Sequence, residues 1–264
     1  MNATAGPQPS AAEHEALIHD QFSRQAPVFS QSSELHGQAQ VAMLVEAARP
    51  QPGDCSLDVA CGPGSVVAAF AGKVRFAVGL DTTEPMLDQA RKLAAERSLP
   101  NVEWRTGDVY RLPFADSAFD IVTCRFAVHH FQRPAAALGE MARVCRSGGR
   151  LLVCDGVASN DADKALAFNT MERHRDPSTV EFRTLTYLRE LFRGAGLPPP
   201  AESTYQVAYE CERMIAQSFP AGDDRDTLRA MIAQLIAGDA MDSGTVAGSP
   251  QFVYPVVILT ATKP

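Results

Sequence analysis

Leu57-Asp58-Val59-Ala60-Cys61-Gly62-Pro63-Gly64-Ser65-Val66-Val67-Ala68-Ala69-Phe70 is an apolar run that meets an acid, turns on two glycines and resumes as a second apolar run. The first run reads as a buried strand and the second as the start of a helix. Glycines between them let the chain take positive φ and let a ligand come close to the backbone. A strand, a tight glycine turn and a helix in that order open a parallel α/β sheet. Ligands of such sheets sit beyond the carboxyl ends of the strands, where the strand order reverses.

The same rhythm continues on both sides of the turn. "CSLDVA", "VRFAVGLD", "NVEWRTGD", "FDIVTCRFA" and "GRLLVCDGV" read as five strands. Between them "EPMLDQARKLAAERS" places Met86, Leu87, Ala90, Leu93 and Ala94 at helical spacing, with Thr83 as cap and Pro85 in the first turn. "AAALGEMARVCR" reads as a helix closed by Gly148-Gly149. The strands are apolar runs rather than alternating ones, as in a sheet covered on both faces. Upstream, "EHEALIHDQFSRQAPVF" and "SELHGQAQVAMLVEAARP" read as two helices. Downstream come a polar insertion, an amphipathic helix "TLTYLRELFRGAGL" and two final strands separated by a helix around 223–237.

The expected fold is therefore α/β: a Rossmann-like, doubly wound sheet of about seven mostly parallel strands with an antiparallel last strand, N-terminal helices and a small helical lid. The expected division is a disordered tail over 1–12 and one domain over 13–264. Within it lie a helical cap (13–50), a cofactor-binding core (51–156), a lid insertion (157–182) and the C-terminal part of the sheet (183–264).

The chain has 264 residues, 45% of them hydrophobic, enough for one large domain with a sizeable core. Its net charge of −7 argues against nucleic acid or an anionic membrane as the main partner. Six cysteines include no CxxC pair, so no zinc or redox site is expected and no metal is called. They read as reduced thiols of a cytoplasmic protein. The N-terminus lacks the basic and apolar regions of a signal peptide, and no apolar run is long enough to span a bilayer. The expected partner is a small molecule, and a homodimer stays open.

Three strands end in acids: Asp58 on the first, Asp81 on the second and Gly107-Asp108 on the third. Asp81 follows Gly62 by nineteen residues, close to the spacing at which Rossmann-type sites place an acid on a ribose hydroxyl. Asp108 suits an exocyclic amine such as adenine N6. A dinucleotide and S-adenosyl-L-methionine both fit an adenosine-shaped site. A dinucleotide needs G-x-G-x-x-G, and Val67 stands at the third glycine position. Asp58 would also repel a pyrophosphate, yet it suits the cationic aminoacyl end of S-adenosyl-L-methionine. A nicotinamide-dependent oxidoreductase is disfavoured for these reasons.

At this point the chain resembles the class I S-adenosylmethionine-dependent methyltransferases, in particular the small-molecule branch that includes the ubiquinone/menaquinone C-methyltransferases. "LDVACGPG", "VGLDTTEPMLDQAR", "VEWRTGDVYRLPFADSAFDIVTCRFAVHHF" and "ALGEMARVCRSGGRLLVCD" carry the resemblance over roughly 55–156, with "PVVILTATKP" at the end. The resemblance implies that Asp58 and the backbone of Ala60, Gly62 and Gly64 line the methionine part of the cofactor. It implies that Asp81 binds the ribose, with Thr82 and Met86 beside the adenine, and that Asp108 and Val109, after Gly107, hold the adenine edge. Arg125 and Phe126 would lie next to the sulfonium. The N-terminal "DQFSRQAPVFSQS" resembles a segment that folds over the cofactor, which would bring Phe22 and Phe29 onto it, an aromatic face suiting a sulfonium. Ala60 departs from a common glycine, and "CRSGG" replaces a more usual proline-containing turn. "CRFAVHHF" stands where nucleobase methyltransferases carry a proline-rich motif, which argues against a nucleobase acceptor.

Methyl transfer needs alignment, exclusion of water and, for a protonated acceptor, a base. His129 and His130 follow the fourth strand and are the first candidates, and His174 in "MERHRDPSTV" is the third. One of the adjacent pair is expected to face the core or cap a helix. Asp176 reads as a helix-end cap, and Arg173, His174 and Arg175 as contacts to an acidic or polar acceptor or as solvated residues. Phe168, Met171, Tyr187 and Phe192 read as core before pocket. The expected function is S-adenosylmethionine-dependent methyl transfer to a phenolic or enolic oxygen, or to a ring carbon activated by one. The alternative is an S-adenosylmethionine-binding protein with a non-methylating catalytic or regulatory role.

Overall fold

The computed structural model describes residues 9–29, 38–244 and 247–264. Seven strands form one sheet: β1 (Cys55–Val59), β2 (Phe76–Asp81), β3 (Val102–Thr106), β4 (Phe119–Arg125), β5 (Cys145–Gly156), β6 (Ala201–Glu210) and β7 (Gln251–Thr262). Their spatial order is β3-β2-β1-β4-β5-β7-β6. β1 pairs in parallel with both β2 and β4, so the strand order reverses beside β1. β7, between β5 and β6, runs antiparallel to both. The carboxyl end of β1, where the glycine turn begins, is thus the switch point at which such sheets bind ligands.

The apolar runs are buried on both faces because two separate cores clamp the sheet. Leu152 and Cys154 of β5 face one core with Val66, Phe70 and Phe168. Leu151 and Val153, the alternate residues, face the other with Leu138, Met141 and Phe192. The first core is covered by helices α2 (Gln38–Ala48) and α3 (Ser65–Ala71), the second by α5 (Pro134–Val144) and α7 (Leu185–Gly194). α4 (Glu84–Glu96) buries Met86, Leu87, Ala90 and Ala94 at the spacing expected, with Pro85 in its first turn. Thr83 occupies the cap position but makes no side-chain cap bond; its N–H is spent on Asp81 instead.

Two boundaries differ from expectation, each for a local reason. Helix α1 (Ala11–Phe29) starts inside the segment read as a tail. Ser10 and Glu13 form a reciprocal capping box there: Glu13 N–H donates to Ser10 Oγ at 3.3 Å, and Ser10 N–H donates to Glu13 Oε2 at 2.8 Å. Helix α5 ends at Val144, before Gly148-Gly149, which lie within β5 and do not close the helix. Gly148 has φ +71°, and a Cβ on Gly149 would sit 2.7 Å from Cys145 Sγ and 3.0 Å from the Asp120 carbonyl oxygen. Those glycines serve a close backbone approach at the start of β5.

The insertion after β5 carries α6 (Ala162–Arg175), capped by Asp161, whose side chain accepts from the Asp163 and Lys164 N–H groups. The β6–β7 connection is a second insertion. It carries α8 (Cys211–Ala216) and α9 (Arg225–Ala237), and Lys164 of α6 donates to the Asp239 carbonyl at 2.9 Å. The two insertions pack on each other, so residues of 183–264, expected to belong to the sheet, also include helices that sit against α6.

Candidate functional site

The turn after β1 is held in a left-handed conformation at three places. Ala60 has φ +56°, Gly62 +52° and Gly64 +84°. At Ala60 the substituted residue carries the strain that a glycine would avoid. The two glycines do different work. A Cβ on Gly62 would meet nothing within 4 Å, so this position is open to the space beyond the sheet. A Cβ on Gly64 would lie 2.5 Å from Trp104 and 2.9 Å from Ala90, so Gly64 is required by packing beneath the turn. Gly107 is likewise set by packing, 2.8 Å from Leu80.

The strand-end acids converge as their spacing suggested. Asp81 accepts the Gly62 N–H at 2.8 Å and the Thr83 N–H at 2.9 Å, one on each carboxylate oxygen. Asp58 accepts the Thr123 hydroxyl at 2.6 Å. Both are buried. Burial pushes Asp58 up to about 7, against the Thr123 hydrogen bond and the Arg125 charge that favour its ionised form. Burial also raises Asp81, opposed by its backbone hydrogen bonds. Asp108 is exposed and accepts the Tyr110 N–H at 2.8 Å.

Asp58, Ala60, Gly62, Asp81, Thr82, Met86, Asp108, Val109, Arg125 and Phe126 all line one cavity of about 310 Å³. Its roof is α1, through His14, Ile18 and Phe22. His14 Nε2 lies 2.8 Å from the His130 carbonyl oxygen and ties the roof to the segment after β4. Gly64 and Gly107 are absent from this wall. The Phe29 side chain lies outside the described residues.

A second cavity of about 120 Å³ adjoins the first and shares Phe22, Phe126 and His130 with it. His129 lines only this one. Both histidines sit in the buried 3₁₀ turn Val128–His130. His129 Nδ1 lies 2.7 Å from Asp155 Oδ1, and its N–H donates to Asp155 Oδ2 at 3.1 Å. Its ring stacks on Phe182 at 4.0 Å between centroids. His130 Nδ1 lies 3.0 Å from the Ser178 carbonyl oxygen, which only accepts, so Nδ1 carries the proton there. Burial and the neighbouring His129 drive the His130 pKa down and hold it neutral. His174 is not brought to either cavity. Its Nε2 lies 3.0 Å from the Asp224 carbonyl oxygen, on the side of α6 that packs on the second insertion. Phe168, Met171 and Phe192 are core, and Tyr187 is partly exposed beneath the Arg183 guanidinium.

Sequence reasoning missed Asp155, which lines neither cavity but partners His129, and several lining residues. Asp155 had a readable signal, an acid at the end of a buried strand, like Asp58 and Asp81. Met214, Gln217 and Ser218 reach the second cavity from the β6–β7 insertion, and no local pattern marks them. Among the described residues no group of three His, Cys, Asp or Glu side chains could hold a metal ion, and no helix is long and apolar enough to cross a membrane.

Buried carboxylates at the ends of β1 and β2 fit a cationic, ribose-bearing ligand. Asp58 and the buried Val67, where a dinucleotide turn needs glycine, do not fit a pyrophosphate. The fold is that of the class I methyltransferases, and the cavity at its switch point is the candidate cofactor site.

Comparison with known proteins agrees. Residues 57–153 match the family described as "Methyltransferase domain". The uncharacterized methyltransferase YcgJ of Bacillus subtilis is 32% identical over 72% of this chain and 71% of its own length. Its crystal structure superposes with a TM-score of 0.76, at 24% identity, over 86% of this chain and 99% of that one. The demethylmenaquinone methyltransferase of Mycolicibacterium vanbaalenii is 41% identical over 71% of this chain and 69% of its own length. The ubiquinone/menaquinone biosynthesis C-methyltransferase UbiE of a Ruegeria species is 38% identical over 54% of this chain and 61% of its own length. The chain belongs to the S-adenosylmethionine-dependent methyltransferases, and its cofactor is S-adenosyl-L-methionine.

Proposed function

We propose that this enzyme methylates a small hydroxylated ring, at a phenolic or enolic oxygen or at a ring carbon activated by one, held in the second cavity. The observation that carries the reading is the shared wall. Phe22, Phe126 and His130 belong to both cavities, so a ring in the smaller one abuts a ligand in the larger. The names of two of the relatives above, the ubiquinone/menaquinone biosynthesis C-methyltransferase and the demethylmenaquinone methyltransferase, support an oxygenated ring as the acceptor.

In this reading Asp81 holds the ribose hydroxyls through the lone pairs its backbone bonds leave free. Thr82 and Met86 flank the adenine, and Asp108 and Val109 meet its edge. Asp58 and the backbone at Ala60 and Gly62 surround the aminoacyl end. Phe22, Phe126 and Arg125 wall the junction of the cavities, where aromatic faces suit a sulfonium. S-adenosyl-L-methionine supplies an electrophilic methyl group on a positively charged sulfur. The protein aligns the acceptor, excludes water beneath α1 and takes the acceptor proton at His129 Nε2, since Nδ1 faces Asp155. Incubation with S-adenosyl-L-methionine and a panel of hydroquinones, catechols and phenols is expected to release S-adenosylhomocysteine and a product one methyl heavier. No S-adenosylhomocysteine across the panel would overturn the reading.

The cofactor affinity is expected to depend on pH through Asp58. In the free protein this carboxyl titrates near 7, and a bound cation favours its ionised form. Below that pH, binding must expel a proton. Affinity should be about tenfold weaker at pH 6 than on the plateau reached above pH 7. The same raised pKa makes the free protein lose stability as pH rises from the ordinary carboxylate range toward 7, because the folded state holds a proton that the unfolded chain releases. Calorimetric titration across that range tests both the profile and its flattening in Asp58→Asn.

A further inference from the structure

The wall of the second cavity that is not shared with the first carries one guanidinium and one carboxylate, Arg175 and Asp176, with a second carboxylate, Glu172, directly behind it. Arg175, in the last turn of α6, donates from Nε and Nη2 to Glu172 Oε2 at 2.9 and 2.8 Å. Glu172 is fully buried, and its other oxygen accepts the Tyr254 hydroxyl at 2.5 Å. A carboxyl that accepts from three donors is a carboxylate. Arg175 and Tyr254 line the cavity, and Glu172 stands directly behind them. Asp176 also lines it, accepting Ser178 Oγ at 2.5 Å, the Ser178 N–H at 2.9 Å and Gln25 Nε2 at 2.9 Å. Burial pushes the Asp176 carboxyl up. The Arg175 charge and the hydrogen bonds from Ser178 and Gln25 oppose it, and the group is held below its ordinary value.

The rest of the wall is mostly apolar, with five rings from Phe22, Phe126, Phe182, Tyr209 and Tyr254, though Gln25, Gln217 and Ser218 also reach it. In such surroundings charge is poorly screened. Arg175, the one Lys or Arg among the described lining residues, is already compensated by Glu172, and Asp176 adds a further negative charge. An entering carboxylate would lose its water without gaining a free cation. Arg175 still has Nη1, which neither bond to Glu172 uses, as a donor to an uncharged oxygen.

We propose that the Glu172–Arg175 pair, together with Asp176, makes this cavity select an uncharged oxygenated ring and reject the same ring bearing a carboxylate. The proposal rests on the reading of this cavity as the acceptor site. Glu172 is a specificity-determining residue that acts through Arg175.

The test is calorimetric binding of 4-methylcatechol and 3,4-dihydroxybenzoate at pH 7.5 to the full chain saturated with S-adenosylhomocysteine. The two rings differ by a methyl against a carboxylate. The uncharged ring is expected to bind at least tenfold more tightly. In Glu172→Gln the gap should fall below threefold, with unchanged affinity for S-adenosylhomocysteine reporting that the variant is folded. Equal or tighter binding of the carboxylated ring by the unmodified protein overturns the proposal and leaves the acceptor reading standing. Failure of both rings to bind overturns the two together.

Discussion

His129→Ala is expected to lower kcat by about 10²–10⁴-fold while S-adenosyl-L-methionine binds as before. The size follows from how completely this imidazole is prepared. Asp155 Oδ1, 2.7 Å from Nδ1, sets the tautomer and would stabilise the imidazolium formed when Nε2 takes a proton. The Phe182 ring, nearly parallel at 12°, fixes the plane. His130 cannot replace it. Its Nδ1 proton is committed to the Ser178 carbonyl, and burial beside His129 opposes any charge on it. His130→Gln should therefore cost much less than His129→Ala. Single-turnover rates measured with a reactive acceptor separate these effects from cofactor binding. A His129→Ala enzyme with unchanged turnover would remove the histidine from the chemistry.

Asp81→Ala is expected to weaken S-adenosyl-L-methionine binding by about 10²–10³-fold, the loss of two hydrogen bonds to a charged group. The variant removes more than a ligand contact. Asp81 also accepts from Gly62 and Thr83, and so ties the turn after β1 to the end of β2. Asp81→Asn keeps one accepting oxygen and should fall between the two. Calorimetry with S-adenosyl-L-methionine and with NAD decides the outcome, and thermal unfolding checks that the fold is intact. Affinity unchanged in Asp81→Ala would mean that the ribose is held elsewhere.

Much of the cofactor side is readable along the chain, because its parts lie at fixed offsets from strand ends. Asp58, Gly62 and Asp81 fall where a parallel strand, its turn and the next strand must put them, and the cavity wall includes all three. Gly64 shows the limit of that reading. It belongs to the same motif, yet its missing side chain makes room for Trp104, forty residues away in sequence and brought under the turn by β3. Helix α1 was legible as an amphipathic helix, and its capping box at Ser10 and Glu13 could have placed its start.

The second cavity and its surroundings are a different case. His129 meets Asp155 across twenty-six residues, because β4 and β5 are neighbours in the sheet and their ends coincide. Glu172 and Tyr254 meet across eighty-two, and Met214, Gln217 and Ser218 arrive from a connection between the last two strands. The alternation of apolar runs, helices and strand-end acids was enough to determine a parallel sheet, its switch point and the acids gathered at that edge, since those depend on local periodicity and chain geometry. Which histidine has a carboxylate partner, which arginine is already neutralised and which side chains enclose the second cavity depended on the docking of two insertions and α1. That docking is set by contacts between residues far apart in the chain, and no spacing encodes it.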